Sequence, residues 1–414
     1  MTQRVVVTGC GVVSPVGKTK DDFWNSLCSG ISGLDVIKAF DTSAYQCRIG
    51  GEVKDFSPDG LVDPKEAQRT DRVILFALGA SDQAIKDSGL DLERTDLTRF
   101  GTIIGSGIGG LQTLEKEHSK LVNRGPGRVS PFLIPMMITD MTAGRVSISY
   151  GLKGPNYSVV SACASGTHAI GEAYTMIRTG MMDIAVTGGS EATITPLALA
   201  GFCNMKALST RNEDPTKASS PFDIKRDGFV MGEGAGIVIL ESLEHALARG
   251  ARIYGEVIGY GATGDAYHLS HPAPEGEGMS RAMKMALDSA GLKPTDIGYI
   301  NAHGTSTLLN DKYETTAIKN VFGDYAQEVN ISSTKSMTGH LLGASGGIEF
   351  IASIFAIRNG IIPPTINYQD ADPECDLNYT PNTAVKKEMR YALSNSFGFG
   401  GHNATLIASA YEPS

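Results

Sequence analysis

The sequence predicts a layered α/β fold made of two similar halves, and three observations carry that reading. Apolar, β-rich runs alternate with helical stretches from one end of the chain to the other. The 49 glycines in 414 residues exceed the ~7% of an average chain and cluster at junctions between those runs. A strand-then-helix unit in the first part also recurs in the second.

The first series of strands reads RVVVTG, FGTIIG, YSVVSA, DIAVTGG and GIVILES, with helical stretches between them such as 77–88 and 111–122. A second series begins near Ala251 with RIYGEVIGYG, IGYINAHG and VNISST, and closes on ATLIASAY. After YSVVSA, Ile170, Ala173, Tyr174 and Ile177 share one helical face. After VNISST, Ile348, Ile351, Ala352 and Phe355 do so at the same i, i+3, i+4, i+7 spacing. Both helices end alike, on Ile177-Arg178-Thr179-Gly180 and Ile357-Arg358-Asn359-Gly360. Arginine then glycine is an ordinary helix stop, but strand, face and stop together favour a duplication. The boundary is placed near residue 250, giving halves 1–250 and 251–414. No low-complexity linker marks it, so a large shared interface is expected.

Composition bounds the function. With 41% hydrophobic and 20% charged residues the chain is globular. No run reaches the ~18 apolar residues of a membrane span, and MTQRVVVTGCGVV lacks the unbroken apolar core of a signal peptide. A cytoplasmic protein is expected. A net charge of -9 argues against nucleic-acid binding. The six cysteines form no C-x-x-C pair, so reduced thiols are expected rather than a zinc or redox site.

Several motifs have bland readings that win. Gly105-Ser-Gly-Ile-Gly-Gly110 fits a dinucleotide fingerprint, but GPGRVSP stands where the ribose-binding acid belongs, so a pocket-lining turn is preferred. Gly343-Ala-Ser-Gly-Gly347 fits a hydrolase elbow, with Asp372, Asp376 and His402 following in hydrolase order. The polar stretch KSMTGHLLG separates Ser345 from its strand, so small residues opening a packed helix are favoured. His268 and His271 lie in a loop-like stretch without a nearby cysteine. His118 and His245 sit among helical charges and read as solvated. No metal or organic cofactor is expected.

Cys163 stands where strand YSVVSA gives way to a helix. Free N–H groups and the dipole at a helix N-terminus favour thiolate over a thiol of pKa ~8.5. Ala162, Ala164, Ser165 and Gly166 leave room for an acyl group, and their N–H groups suit an oxyanion. A buried cysteine at a crowded turn explains the same residues locally. The second half tips the choice: Asn301-Ala-His-Gly-Thr-Ser-Thr307 and Lys335-Ser-Met-Thr-Gly-His340 each put a histidine at a turn after an apolar strand. In a duplicated α/β fold both converge on the crevice holding Cys163. Two imidazoles beside one thiol suit acyl transfer followed by carbanion chemistry.

SACASGTHAIGEA, NAHGTSTLLNDKYE, STKSMTGHLLGASGGIE and SNSFGFGGHN resemble, in order, the four signature segments of β-ketoacyl-ACP synthases. The resemblance implies the thiolase-like fold, two βαβαβαββ halves in a five-layer α-β-α-β-α stack, as a homodimer. It implies Cys163 as acylated nucleophile, His303 and His340 as decarboxylation partners, Lys335 as the supporting lysine and Glu349 as the buried acid. Phe399 matches the gating phenylalanine whose N–H joins that of Cys163 in the oxyanion hole. Ile108 looks like the type II branch, where type I enzymes carry a smaller residue, and Thr305 and Thr307 are taken as substrate-binding. The implied partner is acyl carrier protein, docked on Lys65, Arg69, Arg128 and Lys206.

The chain departs from the pattern at Leu308, where proline is usual. Gln68 and Gly127 replace common basic residues, and Ser220 stands for an arginine. These bear on loop support and partner affinity more than on chemistry. A polyketide-type ketosynthase and, from another class, an esterase using Ser345 are the rival readings.

Overall fold

The computed structural model describes residues 2–413. Its main sheet has ten strands. The first half supplies β1 (Val5–Val13), β2 (Phe100–Gly105), β3 (Asn156–Val159), β4 (Ile184–Glu191) and β5 (Gly234–Ser242). The second supplies β6 (Gly255–Gly264), β7 (Tyr299–Asn301), β8 (Asn330–Ser332), β9 (Tyr391–Gly398) and β10 (His402–Ser409). Within each half the spatial order is third, second, fourth, fifth, first. In each, the three strands nearest the outer edge are parallel and the other two antiparallel. The duplication read from sequence is thus a duplication of topology. The halves are also stitched edge to edge, with Val5, Val6 and Val7 opposite Val257, Glu256 and Gly255.

Six helices matter for the site: α1 (Arg72–Ser88), α2 (Leu111–Arg124), α3 (Ser165–Arg178), α4 (Glu277–Ala290), α5 (Leu308–Phe322) and α6 (Ser345–Asn359). Helix α1 covers the outer face of the first half, against β1, β4 and β5, and α4 covers the second, against β6 and β10. Helices α3 and α6 pack on each other between the two halves of the sheet, which makes the sequence of layers α-β-α-β-α. Their predicted apolar faces are buried. Helix α6 goes further and is buried at every position from Ser345 to Ile357, because sheet lies on both sides of it.

Packing of α3 on the approach to α6, and of α6 on the sheet, explains two of their glycines. A Cβ on Gly347 would lie 2.2 Å from the Gly236 carbonyl oxygen, and one on Gly166 would lie 2.9 Å from that of Gly343. Close approach of backbones sets these two positions. Strand β9, which carries the SNSFGFGG segment, has no apolar alternation to announce it. Its Ser394, Asn395 and Ser396 are buried polar residues, and Asn395 bonds Glu314 and Thr405. His245 departs from the expected solvated state: its Nδ1 lies 2.6 Å from the fully buried Glu241, which Arg249 and Thr8 also engage. No described helix is long and apolar enough to cross a membrane.

Candidate active site

The peptide chain reaches Cys163 through a strained turn. Strand β3 stops at Val159, and Ala162–Ala164 form a single 3-10 turn before α3 begins at Ser165. Ala162 has φ +50°, uncommon for a residue with a Cβ and costing on the order of 1 kcal/mol. The turn aims Cys163 into a cavity of about 410 Å³. Gly398 at the end of β9 lies so close that a Cβ there would sit 3.0 Å from the Cys163 nitrogen. The approach places the Phe399 N–H, together with the N–H of Cys163 itself, in hydrogen-bonding reach of the sulfur.

Both histidines meet this sulfur. Nε2 of His340 lies 3.0 Å from Sγ, and its ring stands edge-on to His303 with centroids 5.2 Å apart. One donor atom from each of Cys163, His303 and His340 lies within 4.8 Å of the others. A thiol and two imidazoles are also zinc-type donors, but here Nε2 of His340 is already turned to the sulfur at hydrogen-bond distance. Burial first, and then the nearby Lys335 cation, hold both imidazoles well below their ordinary pKa, so they are neutral near pH 7. A neutral imidazole offers one donor and one acceptor. Lys335 and Glu349 form a buried ion pair beneath them.

Burial pushes the Cys163 thiol up to about 12, with Lys335 and the two N–H groups opposing. This differs from the thiolate expected of a helix N-terminus. The sulfur is deep enough that lost hydration favours the thiol, with the sulfur at hydrogen-bond distance from His340.

Other predicted residues fall into three sets. Ile108, Thr305, Thr307, Phe399 and Lys206 line the same cavity, the two threonine hydroxyls 2.9 Å apart. Lys335 and Glu349 lie just below it. Lys65, Arg69 and Arg128 are exposed and do not line it. Leu308 opens α5 and lines the cavity where a proline was usual. Ser220 accepts from Arg211 at 3.1 Å. The hydrolase set is dispersed: Asp372 pairs with Arg226, Asp376 with Lys319, and His402 is exposed at the start of β10. Ser345 is buried and absent from the cavity wall.

Two carboxylates escaped the sequence reading. Glu191, ending β4, accepts from the Gly107 N–H at 2.7 Å, the Gly343 N–H at 3.0 Å and the Ile108 N–H at 3.3 Å, tying together two loops around the site. Glu314 on α5 accepts from the His303 and Gly304 N–H groups, each at 2.8 Å, and so fixes the His303 backbone. Burial pushes each up to about 7 against those bonds. Glu314 stood inside the NAHGTSTLLNDKYE segment; Glu191 had only the signal of an acid ending an apolar strand.

Residues 2–246 match the family described as "Beta-ketoacyl synthase, N-terminal domain", and residues 254–369 match "Beta-ketoacyl synthase, C-terminal domain". The chain is 53% identical over 410 residues to a 3-oxoacyl-[acyl-carrier-protein] synthase 2 of Synechocystis sp., covering 99% of both. A beta-ketoacyl synthase from Burkholderia phymatum superposes with a TM-score of 0.92 at 35% identity, covering 99% of this chain and 100% of that one. A type II PKS ketosynthase solved in complex with its acyl-carrier protein gives 0.93 at 36% identity, with the same coverage. A cysteine at a strained turn, two neutral imidazoles around its sulfur and a thiolase-like duplicated sheet fit what these matches say of the whole chain, which belongs to the beta-ketoacyl synthase family.

Proposed function

We propose that the protein elongates acyl chains by decarboxylative condensation of malonyl-ACP with an acyl group held on Cys163, in type II fatty acid synthesis. The observation that carries the reading is the convergence of one thiol, two neutral imidazoles and two backbone N–H groups in a single cavity. In the loading step the Cys163 proton passes to Nε2 of His340 as the sulfur attacks the acyl-ACP carbonyl carbon. The N–H groups of Cys163 and Phe399 hold the oxyanion. The carrier's C–S bond then breaks, and the proton leaves with its thiol. In the second step His303 and His340 donate hydrogen bonds to the malonyl thioester oxygen while the carboxylate departs as carbon dioxide. The carbanion attacks the acyl-cysteine carbonyl carbon, the C–S bond to Cys163 breaks, the released thiolate takes a proton from solvent, and the product is a 3-oxoacyl-ACP two carbons longer. Fatty acid elongation is favoured over polyketide synthesis by the higher identity to the Synechocystis synthase, 53% against 36% for the polyketide enzyme.

The carrier reading is supported by charge. Lys65, Arg69, Arg128 and Lys206 are exposed, and among the described residues none is ion-paired with an acid. Arg72 and Lys120, their neighbours in sequence, are instead taken by Glu233 and Glu117. Lys206 also lines the cavity, so an acidic carrier held there would sit beside the site. A homodimer is supported by the open edge of the sheet at β3, beside which Val160 and Ile148 are 58% and 66% exposed. A cytoplasmic location accompanies this role.

Incubation with acyl-ACP should add one acyl mass to the peptide containing Cys163, and Cys163→Ser should lose most condensation. Acylation at Ser345 or at another cysteine would overturn the assignment.

A further inference from the structure

The two halves use equivalent serines differently. Ser165 and Ser345 each open a central helix after a 3-10 turn whose first residue has positive φ, Ala162 at +50° and Leu342 at +47°. The Ser165 hydroxyl is consumed by its own loop, accepting from the Ser161 N–H at 2.9 Å and donating to the Ala162 carbonyl at 2.6 Å. Ser345 makes neither bond. Its hydroxyl lies 2.9 Å from Nδ1 of His340, on the side of the ring opposite the Cys163 sulfur. It is fully buried and does not line the cavity.

A neutral imidazole carries a single proton, whereas a hydroxyl both donates and accepts. Loading needs a bare Nε2 to take the thiol proton, which puts the ring proton on Nδ1. Condensation needs Nε2–H to face the malonyl thioester oxygen, which leaves Nδ1 bare. We propose that Ser345 is a positioning residue that supports both tautomers of His340. It accepts Nδ1–H during loading and, after its hydroxyl rotates, donates O–H to Nδ1 during condensation. The change of tautomer moves one proton from Nδ1 to Nε2, so no net proton is gained or lost. This rests on the proposed condensing function.

The inference predicts an asymmetry. Without the hydroxyl, an Nδ1–H would be buried with no acceptor, so the proton settles on Nε2 and the base for loading is lost. Ser345→Ala should therefore lower the ratio of single-turnover Cys163 acylation, read by mass, to carbon dioxide release from malonyl-ACP. The expected fall is about fivefold, the worth of one hydrogen bond. Ser345→Thr keeps the hydroxyl and should restore the ratio. A purely structural role would slow both steps alike. An unchanged ratio in Ser345→Ala, or an equally low one in Ser345→Thr, overturns the inference. A wild-type protein that neither acylates nor releases carbon dioxide would instead defeat the proposed function.

Discussion

Replacing Lys335 with methionine keeps a long stem and removes the charge beneath the site. Lys335 and Glu349 are each 1% exposed and are ion-paired. Removing one member of such a pair costs about 3–5 kcal/mol, because the other charge stays buried and uncompensated. Glu349 can escape that cost by taking a proton. Burial already raises its pKa, and Lys335 supplies the opposing influence that the variant loses. A carboxyl whose folded pKa lies above its unfolded value of ~4.3 loses stability as pH rises between the two values. The variant's deficit against wild type should therefore be smallest near pH 5 and approach its full size by pH 8. Lys335 also favours the Cys163 thiolate, so the variant should react more slowly with iodoacetamide at fixed pH. Urea unfolding at pH 5 and pH 8, with alkylation rates alongside, tests both effects. Wild-type stability at pH 8, or a deficit that grows as pH falls, would refute the reasoning.

Two further outcomes follow from the same geometry. Because burial pushes the Cys163 thiol up to about 12, its alkylation should climb about tenfold per pH unit from pH 7 to pH 10; a plateau below pH 8 would mean that the dipole and N–H groups outweigh desolvation. Ile108 is 39% exposed and lines the cavity, so Ile108→Phe should shift the preferred acyl length by about 1–3 kcal/mol without abolishing turnover; an unchanged product ladder would remove it from the acyl pocket.

The parts of the fold most legible in the sequence were those with apolar periodicity. FGTIIG coincides with β2, and the faces of α3 and α6 are buried as their spacing required. Strand β9 was legible only as a motif, because its ladder position is held by polar side chains that carry no hydrophobic signal. Of the site, Cys163, His303 and His340 could be named because thiols and imidazoles at strand ends are rare. Glu191 could not, since it binds backbone N–H groups of loops distant in sequence; nor could Glu314, which lies in the same segment as His303 but acts on its backbone.

By itself the sequence determined the alternation of strands and helices, the duplication and the chemical types gathered in the site. Local propensity, side-chain period and residue chemistry are properties of short stretches. The tertiary structure alone decided that burial favours the protonated state of Cys163. That state depends on how much water the two halves together exclude from Cys163 and on where Lys335 ends up. It also decided that Gly166 and Gly347 mark close backbone approaches, of α3 to the turn before α6 and of α6 to β5, and that Ser345 is buried behind His340. Distances between residues 177 positions apart, such as Cys163 and His340, exist only once the sheet has closed around them.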